Sequence, residues 1–451
     1  MQWGFRALLV LAWPVVLSRS AQAVIGFSDA VMVAPLGEDE LAATTAGNLN
    51  ALCIAILPMG IAFIVQSYAA QLWGKGDLSA ARRYGWYGLV LAALTGVMFA
   101  GLGDAVDPVL ARLGYTPNVR ALMTDYIEIR FMAMAAAVGM EAIGNWYGGI
   151  GNTRYHMFAS IVAMVANVGL NWLLIEGNLG APALGVRGAA IASVVSTWMG
   201  FAILLALFVR NVGVPKSVPT PLRLREFGRM LRFGLPNGFN WFLEFAAFMI
   251  FINITVAELG TVTIAALLAV MQVNSVSFMP AFGLSSAGAI LAGQAIGADR
   301  KDDVPAILRR TLTATVTWQM TVGLFYVAIP ATLMGLFAPR DSAGALPEIV
   351  VVGTVLLALS AAWQLFDAIG IAVSEALRAA GDTAFCLWAR LLVAWLLFLP
   401  GSWLAVTVWG GGAVAAILAI VGYIAVLAFV LAWRFRSGAW RRIQLTEDVV
   451  V

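Results

Sequence analysis

The sequence predicts an all-α membrane protein, with twelve transmembrane helices arranged as two pseudo-symmetric six-helix lobes around a central cleft. Three observations carry this expectation. First, 61% of the 451 residues are hydrophobic and 11% are charged, far below the roughly 25% charged share typical of a soluble domain. Second, apolar runs of membrane-spanning length recur along the whole chain. Third, five landmarks repeat in order between the halves at nearly one offset.

The spans read at 7–33, 47–71, 84–106, 121–146, 155–176, 188–209, 232–257, 264–293, 308–335, 347–376, 384–407 and 413–434. The first contains Pro14, which removes a backbone donor and bends a helix. Arg6, the apolar run Ala7–Leu17 and AQA at 21–23 imitate a cleavable signal, but the repeat counts this segment as the first helix of a set. With the N-terminus inside, twenty-one Lys and Arg fall in inner segments, four in outer loops and two, Arg19 and Arg130, within spans. Arg390 is counted with the inner set. This bias places both termini in the cytoplasm, with the chain multi-pass in a plasma membrane. The inner segment from Arg210 to Arg232 is the longest and most basic, and it holds Pro215, Pro219 and Pro221. The organisation is therefore a lobe at 1–210, a cytoplasmic linker at 211–231, a second lobe at 232–435 and a cytoplasmic tail at 436–451.

The repeat orients the halves. LGEDELAA at 36–43 matches LGTVTIAA at 259–266, and Pro58 matches Pro280. QLWGKGDLSAARR at 71–83 resembles QAIGADRKDDVPAILRR at 294–310. GIGNT at 149–153 resembles AAGDT at 379–383, and GVRGAAIA at 185–192 resembles GGGAVAAI at 410–417. Six spans separate the copies, so the repeat is parallel, with its axis along the membrane normal. Two such lobes suit alternating access.

Net charge is +3. The basic residues sit in short loops, which speaks for topology and against nucleic acid. Cys53 and Cys386 lie in apolar runs, so neither a disulfide framework nor zinc spacing is present. His156, the one histidine, reads as a loop residue. A membrane-embedded enzyme needs a histidine or a nucleophile–base pair at depth, so the chain does not read as an enzyme, and no cofactor is implied.

Charge inside hydrocarbon costs ~2.5–3.5 kcal/mol on insertion scales, so intramembrane carboxylates mark function. On the tenth span Ser360, Gln364, Asp367 and Ser374 share one helix face. On the seventh, Asn237, Asn240 and Glu244 recur at steps of three and four. Asp367 and Glu244 therefore suit a shared proton or sodium site, the only metal site the sequence suggests. In the first lobe Ser18, Gln22 and Asp29 share a face, Asn167 and Asn171 stand at i and i+4, and Ser193 is a candidate neighbour. Glu375 reaches Arg378 at i+3 and reads as a rim ion pair; Glu141 and the partner of Arg19 stay open. Trp241, Phe248, Gln272, Phe278 and Trp363 share spans with these stripes and suit the wall of a cleft for a flat cationic guest.

The set WPVVL…FSDAVMVAPLG, MPAFGLSSAGAILAGQAIGA and FDAIGIAVSEALRAAGDT resembles the multidrug and toxic compound extrusion (MATE) family, with WFLEFAAF and FDAIG similar to its NorM-like branch. The resemblance covers essentially all twelve spans. It implies a monomeric secondary antiporter in the bilayer that exports small organic cations against H⁺ or Na⁺. It places the family's first-lobe acidic position on Asp29, its fifth-span polar pair on Asn167 and Asn171, and its second-lobe acidic pair on Glu244 and Asp367. The chain departs from the pattern at Asn171, where members often carry a second carboxylate, at Glu375, often glycine, and at Arg19. The rival reading is a lipid-linked oligosaccharide or lipid flippase of a related superfamily, which needs a deep basic cleft; a channel is disfavoured by the two-lobe repeat.

Overall fold

The computed structural model describes residues 3–215, 220–337 and 348–446. Lys216 and Arg340, used in the charge count, Pro219 of the linker and the tail end 447–451 lie outside them. Among the described residues there is no strand, and the helices assemble into twelve rods. They are α1 (Phe5–Leu36), α2 (Glu38–Lys75), α3 (Leu78–Ala100 with a bent continuation Gly103–Leu110), α4 (Pro117–Phe131 and Met134–Gly149), α5 (Thr153–Ile175) and α6 (Gly185–Val209). Then follow α7 (Leu224–Leu259), α8 (Thr261–Gly297), α9 (Val304–Ala328 and Pro330–Gly335), α10 (Glu348–Ala380), α11 (Thr383–Val408) and α12 (Gly412–Arg436).

Nine rods are long and apolar enough to cross a bilayer, and the bent α3 makes a tenth. The other two are diluted by polar side chains. Arg120, Asp125, Glu128, Arg130 and Glu141 lie along α4, and α9 carries Thr311, Thr313, Thr315, Thr317, Thr321 and Gln319 before it breaks at Pro330. A proline at a helix start loses no bond, whereas inside a helix it removes one. Pro400 in α11 is accommodated by wide turns at Leu392–Phe398 and Leu404–Val408, a common way to absorb a missing donor. The outward faces are apolar: Val97, Phe429 and Trp433 are all more than half exposed, as expected for a chain solvated by lipid.

Contacts divide the chain into two units, one of residues 14–238 and one of residues 1–13 with 239–451. In the first, α5 and α6 pair, α3 packs on α4, and Val33, Phe99, Met123, Tyr126 and Phe131 form a core. In the second, α8, α9, α10 and α12 enclose two apolar clusters, one of which takes in Leu8, Leu11 and Ala12. The carbonyl of Trp3 accepts a hydrogen bond from Arg310.

Turns are set by residues that tolerate a left-handed backbone. Gly76 (φ 80°) ends α2 and Gly381 (φ 90°) ends α10, each followed by an aspartate. Asp77 caps α3, accepting from the Ala80 amide at 2.9 Å, while Asp382 accepts from Arg434 at 2.7 Å. The 439–446 segment folds over the second turn, burying Trp440 and Leu445. Glu375 and Arg378, expected at a rim, form an ion pair that is buried.

Within the first unit, α2 and the start of α7 cross at two glycines. A Cβ on Gly60 would stand 2.7 Å from Gly238 Cα, and one on Gly238 would stand 2.6 Å from the Leu57 carbonyl. Asn237 Nδ2 donates to the Gly60 carbonyl at 2.7 Å, closing a small-residue crossing with a polar bond. Asn237 is thereby a structural tie, although its spacing groups it with Asn240 and Glu244. Gly60→Val should lower the unfolding midpoint in detergent by the equivalent of ~1–3 kcal/mol, the usual range for overpacking. Gly228→Ala, at an exposed position with no atom near the added methyl, should leave that midpoint unchanged.

Candidate functional site

In the first unit the carboxylate of Asp29 is buried where α1 meets α5 and α6. Asn171 Nδ2 donates to Oδ1 at 2.6 Å, Asn167 Nδ2 to the same oxygen at 3.1 Å, and Ser193 Oγ to Oδ2 at 2.6 Å. Asn167 also bonds Ser193 at 3.1 Å, and Asn171 donates to Asn167 Oδ1 at 3.3 Å. The i, i+4 spacing on α5 puts both amides on the face that meets Asp29. All four side chains are buried, so the predicted set is brought together. A cavity of about 190 Å³ adjoins it, lined by Asp29, Thr44, Asn48 and Tyr126 among others. Asn171 Oδ1 and Tyr126 Oη are buried without a hydrogen-bond partner.

Ser18 and Gln22 share the helix face of Asp29 but not its neighbours. Eleven residues separate Ser18 from Asp29, about 16 Å along a helix, so one stripe meets different partners at different depths. Gln22 joins a second cluster, in which Arg19 grips Glu141 with two bonds, Nη1 to Oε1 at 2.7 Å and Nη2 to Oε2 at 3.0 Å. Gln22 Nε2 donates to Glu141 at 3.2 Å and Asn145 Nδ2 at 3.1 Å. The partner of Arg19, open in the sequence, is thus Glu141, 122 residues away. Arg130 takes a different contact, reaching Asn48 at 3.4 Å.

His156 corrects its sequence reading. It lies inside α5, not in a loop, because the helix begins directly after the turn at Gly151 (φ 87°). Its ring packs where Gly144 leaves room, since a Cβ there would come within 2.6 Å of it. Its Nδ1 stands 3.4 Å from Ser18 Oγ, and its Nε2 is buried without a partner.

The second unit holds Asp367, half-buried on α10. Gln319 on α9, fully buried, donates Nε2 to Asp367 Oδ2 at 2.8 Å, while its own Oε1 has no partner. One turn earlier Gln364 belongs to a separate chain of bonds: Ser277 Oγ donates to it at 2.7 Å, it donates to Asn274 at 2.7 Å, and Asn274 donates to Ser360 at 3.1 Å. The polar stripe read on α10 is real, and its upper part braces α8 against α10.

Glu244, on α7, forms an ion pair with Arg390 on α11. Arg390 therefore does not belong with the inner-loop charges. It lies seven residues inside α11, about 10 Å along the helix, and its side chain is 14% exposed. That depth within an apolar run was the overlooked signal. Tyr423 and Asp367 lie within electrostatic reach of the pair. Asn240 is buried, and its Oδ1 has no partner.

The expected aromatic wall divides. Trp241, Phe282 and Phe278 form a row between α7 and α8, with ring centroids 6.3 and 6.0 Å apart. Phe278 is 40% exposed and Gln272 is exposed. Phe248 meets Phe251 at 6.3 Å. Trp363 is instead buried in the apolar cluster with Phe251, Leu356 and Phe398, where its short helical turn directs it inward. Among the described residues no three His, Cys, Asp or Glu side chains converge as a metal site.

Arg19→Met should cost ~3–5 kcal/mol of stability, the range for a buried carboxylate robbed of its cation, and Arg19→Met with Glu141→Leu should restore most of it. Unfolding midpoints of the three purified proteins check this, and equal losses in the single and double variants would contradict it.

The fold agrees with the comparisons. A family model described as MatE matches residues 14–173 and 236–404. Over 446 residues the chain is 27% identical to a probable multidrug resistance protein NorM of Rhizobium meliloti, covering 96% of this chain and 93% of the relative. Over 416 residues it is 28% identical to a protein of the same name from Pseudomonas putida, covering 91% and 89%. Among solved structures, a MOP superfamily transporter from Pyrococcus furiosus superposes with a TM-score of 0.88 at 19% identity, over 97% of both chains, a likeness of fold. With its model matched in both halves, this multi-pass membrane protein belongs to the MatE family of multidrug efflux transporters.

Proposed function

We propose that the protein is a secondary antiporter that exports small organic cations in exchange for H⁺ or Na⁺ by alternating access. The relatives' names point to drugs as the substrate class, and the cationic character is argued from the intramembrane carboxylates and aromatic side chains of this chain. The observation that carries the exchange is Asp367, a carboxylate half-buried on an apolar helix, with Gln319 as its hydrogen-bond donor. Glu244 shares the site of Asp367, and Asp29, in its own polar cage, is the second locus. Asn167, Asn171, Gln22, Ser193, Asn240 and Gln364 support these groups. The aromatic row of half-buried Trp241 and exposed Phe278, with Phe248 and Gln272, suits the cationic guest.

The mechanism is competition for negative charge. A coupling ion entering from outside neutralises the carboxylates, weakens their hold on the drug and favours return to the inward-facing state. A ligand shifts two states only by its differential affinity for them, so a carboxylate that alternates between ion and drug is a sufficient lever. One charge crossing 100 mV releases ~2.3 kcal/mol. In this reading both termini are cytoplasmic, the lobes are 1–210 and 232–435 joined by a cytoplasmic linker at 211–231, and the protein acts as a monomer in the bacterial inner membrane.

The test is ethidium efflux from proteoliposomes with a proton or a sodium gradient imposed separately. Asp367→Asn should insert and fold as the parent does but lose gradient-driven efflux by about tenfold or more, the size of effect expected when a coupling group is removed. Efflux at the parental rate in that variant would reject the role of Asp367.

A further inference from the structure

The ion pair between Glu244 and Arg390 bears on which ion the second unit uses, an inference that rests on the antiport reading above. Glu244 comes from α7, Asp367 from α10 and Arg390 from α11, and the three charges lie within electrostatic reach of one another. Tyr423 and Cys386 complete the titratable groups around Arg390, and Gln319 faces Asp367 from α9.

We propose that Arg390 is a tethered cation that keeps Glu244 compensated, so that Asp367 is the one exchangeable carboxylate of this unit and the ion it takes is a proton. A guanidinium stays charged throughout the physiological pH range and presents a rigid fork of donors to a carboxylate. A sodium ion at Glu244 would compete with that guanidinium for the carboxylate, and displacing it would leave a largely buried cation without its counter-charge, which is strongly unfavourable. Sodium at Asp367 alone would find one carboxylate and at most one amide oxygen, that of Gln319, beside a neighbouring positive charge. A hard metal cation needs several oxygen ligands, whereas a proton needs one oxygen.

The charge balance agrees. Glu244, Arg390 and Asp367 sum to one negative charge, and one proton on Asp367 brings the cluster to zero. The proton leaves a hydronium of the outer water, whose O–H bond breaks to give water, and forms an O–H bond on a carboxylate oxygen of Asp367. Gln319 is equipped for both states. In the ionised state its Nε2 donates to Asp367; after protonation a half-turn of the amide brings its unpartnered Oε1 round to accept from the new hydroxyl. The amide thus reports the proton to α9. Arg390 acts through Glu244 and Asp367 and is a positioning residue.

The experiment is ethidium efflux from proteoliposomes containing the full chain, with ΔpH and ΔNa⁺ imposed separately, on the parent and on Glu244→Gln, Arg390→Gln, Arg390→Lys and the double variant Glu244→Gln/Arg390→Gln. In Glu244→Gln the released guanidinium turns to Asp367, and proton-driven efflux should fall about tenfold or more; the double variant should return to within about threefold of the parent, a coupling that a double-mutant cycle isolates. Arg390→Gln frees Glu244 beside Asp367 and should gain a sodium-driven efflux that the parent lacks at this site. Arg390→Lys keeps the charge and should stay proton-driven. If Arg390→Gln fails to fold, the double variant, which buries no unpaired charge, still decides. A double variant as inactive as Glu244→Gln would overturn the proposal, because Glu244 would then carry the coupling ion itself. So would a sodium-driven efflux of the parent that the double variant loses. A parent driven by neither gradient would overturn the antiport reading rather than the role of Arg390 alone.

Discussion

A charge inside a low-dielectric interior persists only where neighbouring groups replace the water it has lost, and that requirement organises the polar interior of both units. Asp29 has two amides and a hydroxyl, Glu141 has Arg19 with two further amides, Glu244 has Arg390, Glu375 has Arg378, and Asp367 has Gln319. Each set joins groups from within a single unit. The compensation is unequal in kind. Four of the carboxylates are met by a guanidinium or by several donors, whereas Asp367 is half-buried against one amide, and this inequality singles it out as the group suited to exchange.

Some of the compensating groups come from helices that tolerate polarity, while Asp29, Glu244 and Asp367 lie on apolar spans. Both α4 and α9 fall short of the apolarity of the other rods, and they supply Glu141, Asn145 and Gln319. Prolines and glycines do complementary work. Pro330 and Pro400 break or widen helices where a donor is missing, and Gly60, Gly144 and Gly238 let a backbone or ring approach where a methyl would collide. Packing density and polar satisfaction are thus achieved with the same few small residues.

The two units share a topology but solve the problem of a buried carboxylate differently. In 14–238 the acidic site is an uncharged polar cage beside a cavity, with the arginine–glutamate pair held apart from it in another cluster. In 239–451 an arginine stands within electrostatic reach of the acidic site itself. A repeat at the level of helices therefore does not imply a repeat of chemistry, and the ion coupling of the two halves need not be the same.

The sequence by itself determined the class of protein, the twelve helical segments, the repeat and the helix faces on which polar groups lie, because these follow from local quantities: apolar run length, the 3.6-residue period and the placement of proline and glycine. It also grouped Asp29, Asn167, Asn171 and Ser193, together with Ser18 and Gln22, which meet other partners, and it marked Asp367 as a candidate, since a carboxylate in an apolar run needs a reason. Only the tertiary structure decided who meets whom. Arg19 finds Glu141 across 122 positions, Glu244 finds Arg390 across 146, Asp367 finds Gln319, His156 is inside a helix and Trp363 is core. Pairings of this kind depend on the depth and rotation of each helix relative to its neighbours, which packing sets and helical periodicity alone does not encode.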